Sequence, residues 1–175
     1  MIEQEDLIIN KVAESGLITL NLETYFPKQE FAIFDLKDYL FMELILKEKD
    51  FRAACKSHEW EQYNDKILLV YCSTDAIIPM WAYMLVAQHA ANLAFTIFQG
   101  TREEYLKAHY ARVISELNTS EWSDKRVVIK GCGDLDVPAE AYVGITRVLT
   151  PHVLSIMYGE PCSTVPIYKK ARLHQ

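Results

Sequence analysis

Three of the four cysteines fall in short loops of small polar residues: Tyr71-Cys72-Ser73-Thr74-Asp75, Gly131-Cys132-Gly133-Asp134 and Glu160-Pro161-Cys162-Ser163-Thr164. Thiolates with a nearby carboxylate make a site for zinc or iron, because soft sulfur ligands select those metals. Cys72, Cys132 and Cys162 are therefore the candidate metal ligands. A thiol near a helix start is also a candidate nucleophile or redox centre, since the positive helix end stabilises the thiolate. Two features weigh against a metal: the chain has no Cys-x-x-Cys pair and no His-x-His pair, and such spacing carries most of the specificity of metal motifs. Free cysteine is also a small hydrophobe that fills cores, a reading that suits Cys55, which sits in a helical pattern.

The same loops offer a second chemistry. Small residues leave backbone N–H groups open near helix starts, which suits an anion. Ser73, Thr74, Asp75, Asp134, Asp136, Ser163 and Thr164 form the candidate ligand-binding set. Asp75 and Asp134 each precede a proline by four residues, and that recurrence favours a structural role, accepting loop N–H groups and complementing a helix dipole. Asp136 has no such counterpart, because Ile77 occupies the matching place. The five histidines are scattered, and no nucleophile-elbow, phosphate-loop or dinucleotide fingerprint is present.

The elements that must position these loops are repeated. Shifted forward by 59 positions, Leu68–Gly100 lies on Val127–Gly159 without a gap. Asp75 meets Asp134, Pro79 meets Pro138, Ala82-Tyr83 meets Ala141-Tyr142, and Gly100 meets Gly159. Each copy reads as strand, loop, helix, strand. The runs at 67–71 and 126–130 have the continuous apolar character of buried parallel strands. Pro79 and Pro138 sit where a helix begins, a position at which the missing N–H costs nothing. Crossover units of this kind are right-handed with parallel strands.

These units predict an α/β fold with one mostly parallel sheet built from duplicated βαβ units at 67–100 and 126–159, all within a single domain, 1–175. The three cysteine loops would then share its carboxyl edge, where open α/β sheets bind ligands. Upstream, Leu17–Tyr25 and Phe31–Leu36 read as a β-hairpin turned near Pro27, and Asp38 to about Glu59 as one helix or two. Between the copies, Thr101 and Glu104 form a capping box for a helix whose face is Leu106, Tyr110, Val113, Ile114 and Leu117. The helix after Pro79 is apolar nearly all round, so it is expected to be the most enclosed helix or to lie at a homodimer contact.

Composition limits the partners. A formal charge of −6 argues against nucleic acid. The N-terminal Met-Ile-Glu-Gln-Glu-Asp is not a secretory signal, and no apolar run is long enough to span a bilayer. A cytoplasmic location with reduced thiols and no membrane partner is the expectation.

The blocks Phe34-Asp35-Leu36-Lys37-Asp38, Leu46–Arg52, Val127–Asp134 and Met157–Pro166 together resemble an uncharacterised bacterial family, number 2480 in the domain-of-unknown-function series. The resemblance runs over nearly the whole chain. It implies neighbours among iron–sulfur assembly proteins as partners. Separately, Lys130-Gly131-Cys132-Gly133-Asp134 followed by a helix is similar to the cysteine loop of iron–sulfur scaffold and sulfur-acceptor proteins. Three readings follow. One is an accessory factor holding a metal or sulfur species through Cys132 and Cys162, with Cys72 near. The second is a small-molecule enzyme or anion binder using the Ser/Thr/Asp loops. The third is a non-catalytic homo-oligomeric assembly module, favoured by the apolar helix with Trp81 and Tyr83.

Overall fold

The computed structural model describes residues 16–131, 133–160 and 163–171. In chain order these form β1 (Leu17–Leu20), β2 (Phe31–Asp35), α1 (Glu48–Ser57), β3 (Ile67–Tyr71), α2 (Met80–Ala90), β4 (Thr96–Gln99), α3 (Arg102–Glu116), β5 (Arg126–Ile129), α4 (Ala139–Leu149), β6 (Ser155–Glu160) and β7 (Ser163–Lys169). The result is a mixed α/β fold with two sheets. The chain divides into two compact units, one of residues up to Phe26 and from His109 onward, the other Pro27–Ala108. Among the described residues, no helix is long and apolar enough to cross a membrane.

In the Pro27–Ala108 unit the sheet runs β2-β3-β4, with both pairings parallel. Ile67, Leu68, Leu69 and Val70 of the central strand are all buried, as a strand enclosed on both faces requires. Helix α2 links β3 to β4 and buries Ala82, Val86 and Ala90. An aromatic cluster completes this core: Phe34 stacks on Tyr39 and on Trp60, at ring separations of 5.0 and 5.4 Å. His58 joins it, with Nδ1 3.1 Å from the Tyr39 hydroxyl and Nε2 2.9 Å from the Tyr63 hydroxyl.

The other unit has the sheet β1-β5-β6-β7. Strands β1, β5 and β6 are parallel, and β7 returns antiparallel beside β6, from Glu160↔Ser163 to Ser155↔Lys169. Helix α4 links β5 to β6 and buries Ala141, Ile145 and Leu149 beneath Val127 and Ile129. The buried Tyr110 hydroxyl donates to the Leu22 carbonyl at 3.0 Å, fixing the turn after β1. Gly159 has φ +125°, and a Cβ there would lie 2.5 Å from the Ser163 carbonyl, so only glycine lets the two strands close.

The crossover helices begin at Met80 and Ala139, and the left-handed residues before each central strand are Asp65 and Asp124, with φ 57° and 55°. The capping box is present: Thr101 N–H donates to Glu104 Oε2 at 2.7 Å and Glu104 N–H to Thr101 Oγ1 at 3.3 Å. Two expectations are corrected. The two crossover units lie in separate sheets rather than sharing one. The central strands β3 and β5 already have parallel partners on both sides, β2 with β4 and β1 with β6, so neither has a free edge for the other. The upstream hairpin does not form. The Asn21 side chain accepts the Glu23 N–H and caps a short 3-10 turn, Leu22–Tyr25, that leads the chain out of the sheet instead of reversing it. Helix α2 has the fewest exposed positions of the helices among the described residues, as expected, yet it is not enclosed on every side: Met80 and Met84 are each 70% exposed and Trp81 is half-buried.

Burial holds the His58 imidazole below its usual 6.5, with Glu59 pulling partly the other way. The unfolded chain therefore takes up the proton first. Stability from neutral His58 is complete above 6.5 and is lost as the pH falls from there to the folded value. We expect denaturant unfolding free energy to decline through this window in the wild type, and the decline to flatten in His58→Gln. An equal decline in both proteins would assign it to other groups.

Candidate functional site

The carboxyl ends of β1, β5 and β6 surround a polar cleft of about 320 Å³, lined by Asn21, Glu23, Lys130, Gly131, Gly133, Leu135, Asp136, Val137, Tyr142 and Tyr158. Each wall follows from the local fold. Lys130 extends β5, its N–H donating to the Leu20 carbonyl at 2.9 Å, and it is the one cation among the described lining residues. Tyr158, on β6, donates its hydroxyl to the Gly131 carbonyl at 3.1 Å. Its ring passes so close that a Cβ on Gly131 would meet it at 2.6 Å. Tyr142, from the first turn of α4, meets the Tyr158 ring edge-on at 5.8 Å.

Glu23 braces the loop between β5 and α4. Its Oε1 accepts the Leu135 N–H at 2.8 Å, and its carboxylate fills the space where a Gly133 Cβ would stand. The Leu135 N–H holds the Glu23 carboxyl below the ordinary range, against a smaller upward push from burial, and the Asn21 side chain, Lys130 and the Asp134 N–H help to lower it. In the other unit Asp35, at the end of β2, does the same work, its Oδ1 accepting the N–H groups of Ser73 and of Lys37, both at 3.0 Å. Burial pushes the Asp35 carboxyl up, but hydrogen bonds from Ser73 and Lys37 outweigh it and the net position is lowered. The loop N–H groups of Leu135 and Ser73, expected to be open to an anion, are therefore taken by the protein's own carboxylates.

The candidates from sequence are dispersed. Asp136 lines the cleft, and Asp134 contributes its N–H to Glu23 while its side chain is exposed. Ser163 and Thr164 are not in a loop but in β7, paired with Glu160 and Gly159, because the chain reverses at once into an antiparallel strand. Thr164 Oγ1 lies 3.7 Å from Met157 Sδ. Cys72, Ser73, Thr74 and Asp75 belong to the other sheet, so the three cysteine loops do not share one sheet edge. Cys72 is a half-buried free thiol whose Sγ is 3.3 Å from Thr74 Oγ1, and Asp75 borders an apolar groove. Cys132 and Cys162 lie outside the described residues. Among the described residues no group of three or more His, Cys, Asp or Glu side chains is placed to hold a metal ion. Cys55 is fully buried, and burial pushes its thiol up.

Sequence reading missed Asn21, Glu23, Lys130, Tyr142 and Tyr158 as site residues. A lysine ending a buried apolar strand was the one local signal. Glu23 reaches its partner across 112 positions, and nothing near it in sequence points there.

The family described as a protein of unknown function, DUF2480, matches residues 6–170. No curated protein and no solved structure matches the chain.

The brace makes a direct prediction. In Gly133→Ala the new methyl displaces the Glu23 carboxylate, and the Leu135 amide should exchange with solvent faster, as it should in Glu23→Gln. Because the Glu23 carboxyl is lowered, this protection is present above 4.5 and fades as the pH falls through the folded value. Unchanged exchange at Leu135 in both variants would refute the brace.

Proposed function

We propose that this chain, which belongs to the DUF2480 family of proteins of unknown function, binds a small molecule carrying a carboxylate or phosphate group in the cleft at the carboxyl end of β5. The observation that carries the reading is the lining itself. One lysine ammonium, two tyrosine rings and the Asp136 carboxylate converge on about 320 Å³, within the range of small-molecule sites and at the strand end where parallel sheets bind ligands. Lys130 is the point charge for the anionic group, the Tyr158 and Tyr142 rings, set edge to face, supply aromatic surface, and Asp136 selects for a donor on the ligand. Glu23 is a positioning residue that holds the loop.

We also infer that residues 67–100 and 126–159 are two copies of one βαβ unit, a reading supported by crossover helices that begin 59 positions apart. At the places of Lys130, Asp136 and Tyr158 the first copy has Tyr71, Ile77 and Gln99. The anion-binding set therefore belongs to the second copy.

Inorganic phosphate and acetate serve as probes. Titration of either should shift the amide resonances of Gly131 and Gly133 in the wild type, and Lys130→Met should abolish the shifts. No response to either probe, or the same response in Lys130→Met, would overturn the reading.

A second reading, a metal or sulfur species held by Cys132 with Cys162, draws on one observation: both chain neighbours of Cys132, Gly131 and Gly133, line the cleft. Protein purified without air should then carry zinc or iron by elemental analysis, and lose it in Cys132→Ser and in Cys162→Ser. Metal content unaffected by both substitutions would reject it.

A further inference from the structure

The geometry points to an apolar face of the Pro27–Ala108 unit as the contact between two copies of this chain. This inference is independent of the cleft.

Helix α2 buries Ala82, Val86 and Ala90, yet the outward positions of its first two turns are apolar as well. Met80 and Met84, one turn apart, are each 70% exposed, and Ile77, just before the helix, is 92% exposed. Beside them Leu44, Ile45, Leu46, Asp75, Ala76, Ile77 and Pro79 line a shallow groove. One wall of it is a tight turn in which the Phe41 N–H donates to the Ile45 carbonyl at 2.8 Å. That turn closes through Met42 and Glu43, with φ 51° and 58°, a left-handed conformation that residues other than glycine hold only where the surroundings require it. The turn holds Met42, Leu44 and Ile45 outward, at 77%, 65% and 60% exposure. A helix whose outward face begins apolar, beside a turn that presents more apolar side chains, is a surface built to be covered.

Size and charge identify the cover. Taking roughly 60–120 Å² of apolar surface per such side chain, the six offer roughly 250–500 Å² at these exposures. The apolar part of a standard interface is about 500 Å² on each partner. At the upper end of that range the six side chains alone reach the size that one side of a stable dimer needs. Its margin carries both signs of charge: Glu43 and Asp75 are acidic, and Lys47, whose Nζ lies 3.1 Å from the centre of the Phe41 ring, is basic. A margin of both signs permits a two-fold rotation to oppose unlike charges, the self-complementarity that an isologous dimer requires. A partner of strongly one-signed charge would call for a margin of the opposite sign alone.

Sedimentation velocity of the full chain tests this. We expect a dimer in the micromolar range, and a monomer with an unchanged circular dichroism spectrum for Ile77→Asp combined with Met84→Lys, since both side chains are exposed. Val165→Asp, at an exposed apolar position of β7 in the other unit, should leave the dimer intact. A second measurement needs no variant: amide exchange of residues 76–84 in the wild type should slow as protein concentration rises. A wild type that stays monomeric up to about 100 µM, a dimer that survives the double substitution, or exchange at 76–84 independent of concentration would each overturn the inference. A monomer would leave the face to a different kind of partner.

Discussion

In each unit one parallel strand, β3 or β5, has a hydrogen-bonded neighbour on both sides, and its apolar side chains are buried on both faces. Those strands leave no polar group to spare within the sheet, so chemistry is confined to where they end. The ladder decides what meets there. Because β1, β5 and β6 run in the same direction and in register, Leu20↔Ile129 and Ile129↔Tyr158, the residues just past them arrive together at one edge. A parallel neighbour also demands a crossover, and α2 and α4 provide it, each packing small or aliphatic residues against its own sheet.

The loop that leaves such a strand carries N–H groups with no strand to pair with. Both units solve this in the same way, with a carboxylate from the chain that follows the neighbouring edge strand. In one, Asp35 reaches Ser73 directly from the end of β2. In the other, the acid comes two residues later than the matching cap, as Glu23, and the longer side chain needs the empty Cβ space of Gly133. The glycines of the Gly131-Cys132-Gly133 loop are thus explained by close approach, one to the Tyr158 ring and one to Glu23, rather than by phosphate binding. The Leu135 amide already serves Glu23, and Lys130 is the cation among the described lining residues.

From this common frame the two sheet edges present opposite surfaces. The second position before the helix proline is Asp136 in one unit, lining a polar cleft, and Ile77 in the other, almost fully exposed beside an apolar groove. Val143 of α4 and Met84 of α2 occupy matching helix positions and are both about 70% exposed, so that outward position is apolar in each. What differs is the loop ahead of it, where one unit keeps charge and the other keeps methyl groups.

By itself the sequence determined the local elements. The continuous runs Ile67–Tyr71 and Arg126–Ile129, the helix-starting prolines 79 and 138, the Thr101–Glu104 capping box and the 3.6-residue face of α3 were legible because each rests on contacts within a few residues, where backbone sterics and hydrophobic period act alone. Parallel crossover pairing was legible too, since connection length permits little else. Tertiary structure alone decided which strands became neighbours, because main-chain hydrogen bonds carry no side-chain label. The sequence cannot distinguish β1 pairing with β2 from β1 pairing with β5, nor one sheet from two. The same blindness hid the site. Glu23, Lys130 and Tyr158 are brought together by strand register across more than a hundred positions, whereas the cysteines, conspicuous by residue type, were grouped on an assumed single edge that the two sheets do not provide.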